Sequence, residues 1–203
     1  MKICITLDDV IRAKTKQFGK ILKKSANYSD NSELDEIEVK TNDLSEVFGL
    51  SKDEYNKFTY EDYPFEIFGE APVMEKMLDK SLNLWHIKLS DLNEYDENTE
   101  LMIANAGEFN TSIGFTCFFL SKIATRVREF FFPKNRLDIW REDVDVLITA
   151  DPDLLKNKPD GKVSVKIKRQ YNEDCTSDIE YDNLSDLLND NDFFKKVNDV
   201  KNG

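Results

Sequence analysis

The sequence predicts an α/β fold built on a parallel sheet. Three observations carry this prediction. A near-continuous apolar run opens the chain at 2–6, Lys-Ile-Cys-Ile-Thr. Two further apolar runs follow at Leu101–Asn105 and Asp145–Thr149. Segments of helical period lie between the runs. A strand covered on both faces reads as an unbroken apolar run, and strands separated by helices imply parallel pairing with right-handed crossovers.

The elements follow in order. Residues 10–24 read as a helix, with Ile11, Phe18, Ile21 and Leu22 on one face and Lys14, Lys16, Lys20, Lys23 and Lys24 around the rest. Residues 25–45 are polar and read as a loop or inserted segment, with a short strand at Glu36–Lys40. Leu44–Phe48 reads as a helical turn stopped by Gly49. Ser51 with Glu54 makes a capping box for a helix to about Tyr60. Pro72 opens another helix to about Leu84. The stretch 25–92 is therefore expected to be a helical cap or insertion. Its aromatics, Tyr55, Phe58, Tyr60, Tyr63, Phe65, Phe68 and Trp85, are expected to form a small core of their own, with a ligand or partner surface as the other reading.

After the second strand and the turn Ala104-Asn105-Ala106-Gly107, a long helix is expected over about 111–130, ended by Pro133. The third strand, 145–149, leads into a short helix at Pro152–Leu155. Lys162–Lys168 alternates Val163, Val165 and Ile167 and reads as a fourth strand. Its cations suit a solvated edge strand. Residues 183–200 are acidic and carry Leu184, Leu187, Leu188, Phe193, Phe194 and Val197 at the spacing of short amphipathic helices.

Composition narrows the function classes. Apolar residues make up 40% of the 203-residue chain and include 14 Phe, enough for a substantial core. The net charge of −12 argues against direct nucleic-acid binding, because phosphates would be repelled. Cys4, Cys117 and Cys175 are odd in number and lack CxxC spacing, so neither a disulfide framework nor a zinc site is expected. Cys4 and Cys117 read as buried small hydrophobes. No signal segment fits, and the apolar stretch 113–132 contains Lys122, Arg126, Arg128 and Glu129, so no membrane span is expected. The cytoplasm is the default location. Glycine loops for nucleotides are absent, and His86 reads as structural, with no catalytic triad around it. Asp8-Asp9 reads either as a metal-binding pair or as a favourable charge at a helix N-terminus.

One resemblance is carried by four segments. Ile3-Cys4-Ile5-Thr6-Leu7-Asp8-Asp9-Val10-Ile11 is similar to the D-x-D-G-[TV] strand end of the haloacid dehalogenase (HAD) phosphatases. Asp145-Val-Leu-Ile-Thr-Ala-Asp-Pro-Asp resembles the strand leading into that family's late acid pair. Leu101-Met-Ile-Ala-Asn105 falls where the Ser/Thr motif belongs. Gly161 through Tyr171-Asn172 resembles the last strand of deoxynucleotidase-like members. The resemblance implies a HAD-like Rossmannoid sheet with a helical cap: a core of 1–24 plus 93–182, a cap at 25–92, and an acidic amphipathic tail at 183–203.

It also implies a vestigial site of Thr6, Asp8, Asp9, Asn105, Lys122 and Thr149. Thr6 stands at the nucleophile, Asp8 at the general acid, Lys122 at the phosphate-binding lysine, and Thr149-Ala150 at the metal-binding acids. A family mechanism that needs an aspartyl-phosphate and Mg²⁺ is then lost, and neither catalysis nor a cofactor is expected. A register with Asp8 as the nucleophile stays open. The composition and the run Phe-Glu-Ile-Phe-Gly-Glu-Ala resemble structural-block proteins of crAss-like bacteriophages. That implies a virion component, such as a head–tail ring or connector, working through other proteins in a larger assembly without direct nucleic-acid or membrane contact. The alternative is an active HAD-type phosphatase or 5′-nucleotidase using Mg²⁺ on a small phosphate ester. A third reading is a regulatory binder with an anion pocket.

Overall fold

A computed structural model of the chain describes residues 1–25, 38–74, 99–108, 111–123 and 127–203. Six strands form one all-parallel sheet: β1 (Lys2–Thr6), β2 (Glu100–Ala104), β3 (Glu129–Phe131), β4 (Val146–Thr149), β5 (Val163–Ile167) and β6 (Ile179–Tyr181), in the spatial order β3-β2-β1-β4-β5-β6. β1 is central, with Ile3 paired to Leu101 on one side and to Val146 on the other. The α/β reading of the sequence is thus what the chain adopts, and its largely apolar first strand sits at the centre of the sheet.

The helices are α1 (Lys14–Lys24), α2 (Leu44–Val47), α3 (Lys52–Lys57), α4 (Thr111–Lys122), α5 (Pro152–Lys156), α6 (Leu184–Leu188) and α7 (Phe193–Asn202). Their ends follow local chemistry. Ser51 and Glu54 close the capping box of α3, Asp43 and Asn183 cap α2 and α6, and Asp151 caps α5 ahead of Pro152 at its first turn. Gly49, at φ +63, ends the α2 turn as the sequence predicts. Lys23 and Lys24 sit in the last turn of α1, where cations offset the exposed carbonyl end.

The sheet separates two packed layers. Ile3, Ile5, Ile103, Ile148 and Val165 face Phe119 and Leu120 of α4 and Leu184, Leu187, Phe193 and Val197 of α6 and α7. Cys4, Met102, Ala104 and Leu147 face Ile139, Trp140 and Leu154 on the other side. The tail therefore completes the main core. A third cluster joins Phe18, Ile21 and Leu22 of α1 to Leu44, Ile67 and Phe68, with Tyr55, Phe58, Tyr60 and Tyr63 packed around it. Tyr55, Phe58, Tyr60, Tyr63 and Phe68 of the insertion do make a small core, built against α1, while Phe65 stays exposed; Trp85 and His86 lie outside the described residues.

Several expected elements are corrected. The first helix starts at Lys14, because Asp8–Arg12 form a tight turn in which Asp9 takes a left-handed backbone (φ 56). The α3 pattern stops at Lys57, and single wide helical turns follow at Phe58–Asp62 and Phe65–Gly69. Glu38–Lys40 is irregular, while the rest of that expected strand, 36–37, lies outside the described residues. Val73 bridges to Arg12, and Pro72 accepts from the Ala13 N–H, so 72–74 is extended; 75–84 lies outside the described residues. The long helix ends at Lys122, and Glu129–Phe131 form the edge strand β3 instead. β5 is interior, flanked by β4 and β6, and Lys166 is buried with its ammonium on the Cys175 carbonyl (2.6 Å) and the Glu180 carboxylate (2.7 Å). The edge-strand reading fails because β6 pairs along the outer side of β5, and the buried Lys166 ammonium is held by a backbone carbonyl and a carboxylate. Cys4 is buried as expected, but Cys117 is exposed on α4. No described helix is long and apolar enough to cross a membrane.

Candidate functional site

All six strands run the same way, so every strand delivers its following loop to one edge. At that edge the connections of β1 and β4, which are neighbours, leave toward opposite sides of the sheet. Such a switch point opens a crevice at the carboxyl ends of the strands. Thr6 ends β1 and Thr149 ends β4; Asp8 and Asp9 follow β1, and Asn105 follows β2. A cavity of about 250 Å³ lies there, lined by Thr6, Asp8, Asp9 and Asn105 and by Lys14, Tyr55, Tyr60, Arg136, Asp151 and Tyr171.

The Thr6 hydroxyl donates to Thr149 Oγ1 at 3.0 Å, between adjacent strands and out of water. Asp8 is held by two cations. Arg12 Nε and Nη2 reach its Oδ1 at 2.7 and 2.6 Å, and Lys14 Nζ reaches Oδ2 at 3.0 Å. Asn105 adds a donor to Oδ2 at 3.1 Å. Burial alone would raise the Asp8 carboxyl, but Arg12, Lys14 and these hydrogen bonds outweigh it and bring it to about 2. Burial likewise pulls the Lys14 ammonium down, and Asp8 overcomes that pull and keeps it charged.

Arg12 is the centre of this network. Its side chain is fully buried, and it also donates to the Phe68 carbonyl (3.1 Å), Thr116 Oγ1 (2.6 Å) and Glu108 Oε1 (2.5 Å). It therefore ties the β1 loop to the β2 loop, to α4 and to the insertion. Glu108 is equally buried and accepts from Asn105 Nδ2 at 2.7 Å, while its second oxygen has no partner among the described residues.

Asp9 faces other partners. Thr15 gives its Oγ1 (2.6 Å) and N–H (3.2 Å), and the Tyr171 hydroxyl lies at 3.1 Å. Burial pushes Asp9 upward, only partly opposed by the Thr15 hydroxyl, and burial pushes the Tyr171 phenol upward as well. Asp151 is also raised by burial, against the pull of Arg136 at 3.0 Å. The insertion closes over the site through Tyr60, whose hydroxyl donates to the Gly107 carbonyl at 2.9 Å; burial pushes that phenol up to about 12.

Five of the six residues singled out in the sequence thus meet at one edge: Thr6, Asp8, Asp9 and Asn105 on the cavity wall, and Thr149 behind Thr6. Lys122 does not join them. It is the last residue of α4, lies 5.3 Å over the Phe118 ring, and donates to the Gly69 carbonyl at 2.8 Å. Sequence reasoning missed Arg12, Lys14 and Glu108. The i, i+4 spacing of Asp8 and Arg12 was the available signal, masked by reading 10–24 as one lysine-rich helix. Among the described residues, no three His, Cys, Asp or Glu side chains gather as a metal-holding group. No protein-family model matches the chain, and no curated protein matches it.

Proposed function

We propose that this chain is a HAD-like protein that has lost phosphatase chemistry and works through protein contacts as a component of a larger assembly, such as a virion ring or connector. The observation that carries the first half is the Thr6–Thr149 hydroxyl pair at the end of the central strands. In the HAD mechanism these positions supply a nucleophilic carboxylate and a metal-binding carboxylate. Two neutral hydroxyls bonded to each other supply neither. Threonine is a weak nucleophile without an adjacent base, and none of the cavity's carboxylates bonds to Thr6.

The strand order, with β1 central and its loop at the switch point, supports the HAD-like reading as a fold-level analogy. Mg²⁺ does not fit the residues present. Asp8 already carries two cations, and the nucleophile and late-acid positions are Thr6, Thr149 and Ala150, none of them a carboxylate. The assembly half is supported by Phe65 and Phe118, which touch at 5.5 Å and stay 37% and 44% exposed. The tail does not support it, since Phe193 is buried in the chain's own core.

The test is hydrolysis of p-nitrophenyl phosphate and nucleoside monophosphates with Mg²⁺. Rates at the buffer level are expected. Turnover that Asp8→Asn abolishes would restore the phosphatase alternative. Light scattering on the purified chain tests the assembly half: an oligomer weakened by Phe65→Ala with Phe118→Ala is expected, and a monomer at all concentrations contradicts it.

A further inference from the structure

The cavity at the carboxyl edge holds about 250 Å³, roughly eight times the liquid share of one water. Its charged side chains are already engaged with other groups of the chain. Asp8 is bound by Arg12 and Lys14, and Arg136 is bound by Asp151 and Asp153. Asp9 commits its two oxygens to Thr15 and Tyr171. An entering phosphate would find every lining cation already held by a carboxylate. A metal ion would find every lining carboxylate already bonded. Either ligand would have to break an existing ion pair or hydrogen bond, and at Asp8 that means separating it from a fully buried Arg12, which is costly.

Among the described residues, the wall groups without a partner are neutral. Asn42 and Tyr55 are among the lining residues, and neither side chain has a hydrogen-bond partner among the described residues. The amide offers both donors and an acceptor, and the phenol offers one of each. The Thr6 oxygen, having donated to Thr149, can still accept. Beside these groups stand the Tyr55 and Tyr60 rings, nearly perpendicular with centroids 6.4 Å apart. Aromatic faces next to neutral donors and acceptors match a ligand that shows C–H edges on one side and hydroxyls on the other.

We propose that this cavity binds a neutral, multiply hydroxylated ring of monosaccharide size, free or as the sugar of a nucleoside, with Asn42 and Tyr55 as its hydrogen-bonding contacts. The proposal does not depend on the HAD-like reading, because it rests on which wall groups are uncommitted.

The experiment is saturation-transfer NMR on the full chain with D-ribose, methyl β-D-glucopyranoside and uridine, each with and without excess inorganic phosphate. Transfer to at least one sugar ring is expected, unaffected by phosphate. Uridine outcompeting ribose identifies the nucleoside form, and ribose or the glucoside matching uridine identifies the free sugar. In the Asn42→Ala, Tyr55→Phe double variant, affinity should fall about tenfold or more, as for two lost neutral hydrogen bonds. Circular dichroism verifies that the variant is folded; if it is not, each single substitution is read in its place. No transfer to any of the three probes, transfer that survives the substitutions, or displacement by phosphate overturns the proposal.

Discussion

Replacing Arg12 with Met keeps most of the side-chain volume and removes the charge. In the native chain the guanidinium is fully buried and bonded to Asp8, Glu108, Thr116 and the Phe68 carbonyl. Its loss leaves Glu108 buried without a cation and Asp8 with Lys14 alone. Breaking a buried ion pair from one side typically costs about 3–5 kcal/mol, a large share of the roughly 5–15 kcal/mol that holds a domain folded. The pH dependence has a definite sign. Asp8 sits at about 2, below its ordinary 3.8. A depressed carboxyl contributes stability above the unfolded value and loses it as pH falls through the folded value, here roughly 2 kcal/mol.

The gap between native and Arg12→Met should therefore be widest at neutral pH and narrow below about pH 4. Urea denaturation, read as a shift in midpoint at constant slope, measures it. Arg12→Lys, which keeps the charge without the planar fork, should fall between the two. Combining Arg12→Met with Glu108→Gln should recover most of the loss, because Asp8 keeps Lys14 as its partner and no buried charge is then left unpaired. A single Arg12→Met variant within about 1 kcal/mol of the native chain at pH 7 would refute the claim that this guanidinium organises the site.

Asp9→Asn should leave stability at neutral pH unchanged or raised. Burial pushes the native carboxyl upward, so the charged form costs stability as pH rises, and Asn tolerates the left-handed backbone at φ 56; Asp9→Ala should lose about 1 kcal/mol or more from backbone strain, and thermal melts from pH 4 to 8 separate the two. Phe193→Ala should cost about 3–5 kcal/mol, because the ring is 2% exposed within the main core; a loss under about 1 kcal/mol in urea would mean that the tail only rests on the surface.

Much of the sheet was legible because its strands are long enough to show a pattern. β1, β2, β4 and β5 each have four or five residues, and burial on both faces makes them visibly apolar. β3 and β6 have three residues each, too few for any period. Glu129–Phe131 also continues the apolar stretch 113–132, so the sequence pattern alone carries the expected helix through it. The gathering of Thr6, Asp8, Asp9, Asn105 and Thr149 was legible because parallel strands must send their following loops to one edge. Lys122 ends α4 and its side chain turns to the Gly69 carbonyl of the insertion, away from that edge. The Arg12–Glu108 pair was invisible because nothing local links two residues in different loops.

The central strand has a consequence for how the chain reaches this structure. β1 finds its two partners only at Leu101 and Val146, and no neighbouring segment can pair with it first. A sheet whose middle waits for such distant segments must close large loops before any ladder forms, and rates fall as contacts become less local. The local clusters, α1 with the aromatic turns of the insertion, can collapse early, while Ile3 and Ile5 stay exposed until β2 and β4 arrive. In that interval the apolar central strand is an unpaired edge, open to pairing with another chain. Refolding yield should therefore fall with protein concentration more steeply than native-state stability would suggest.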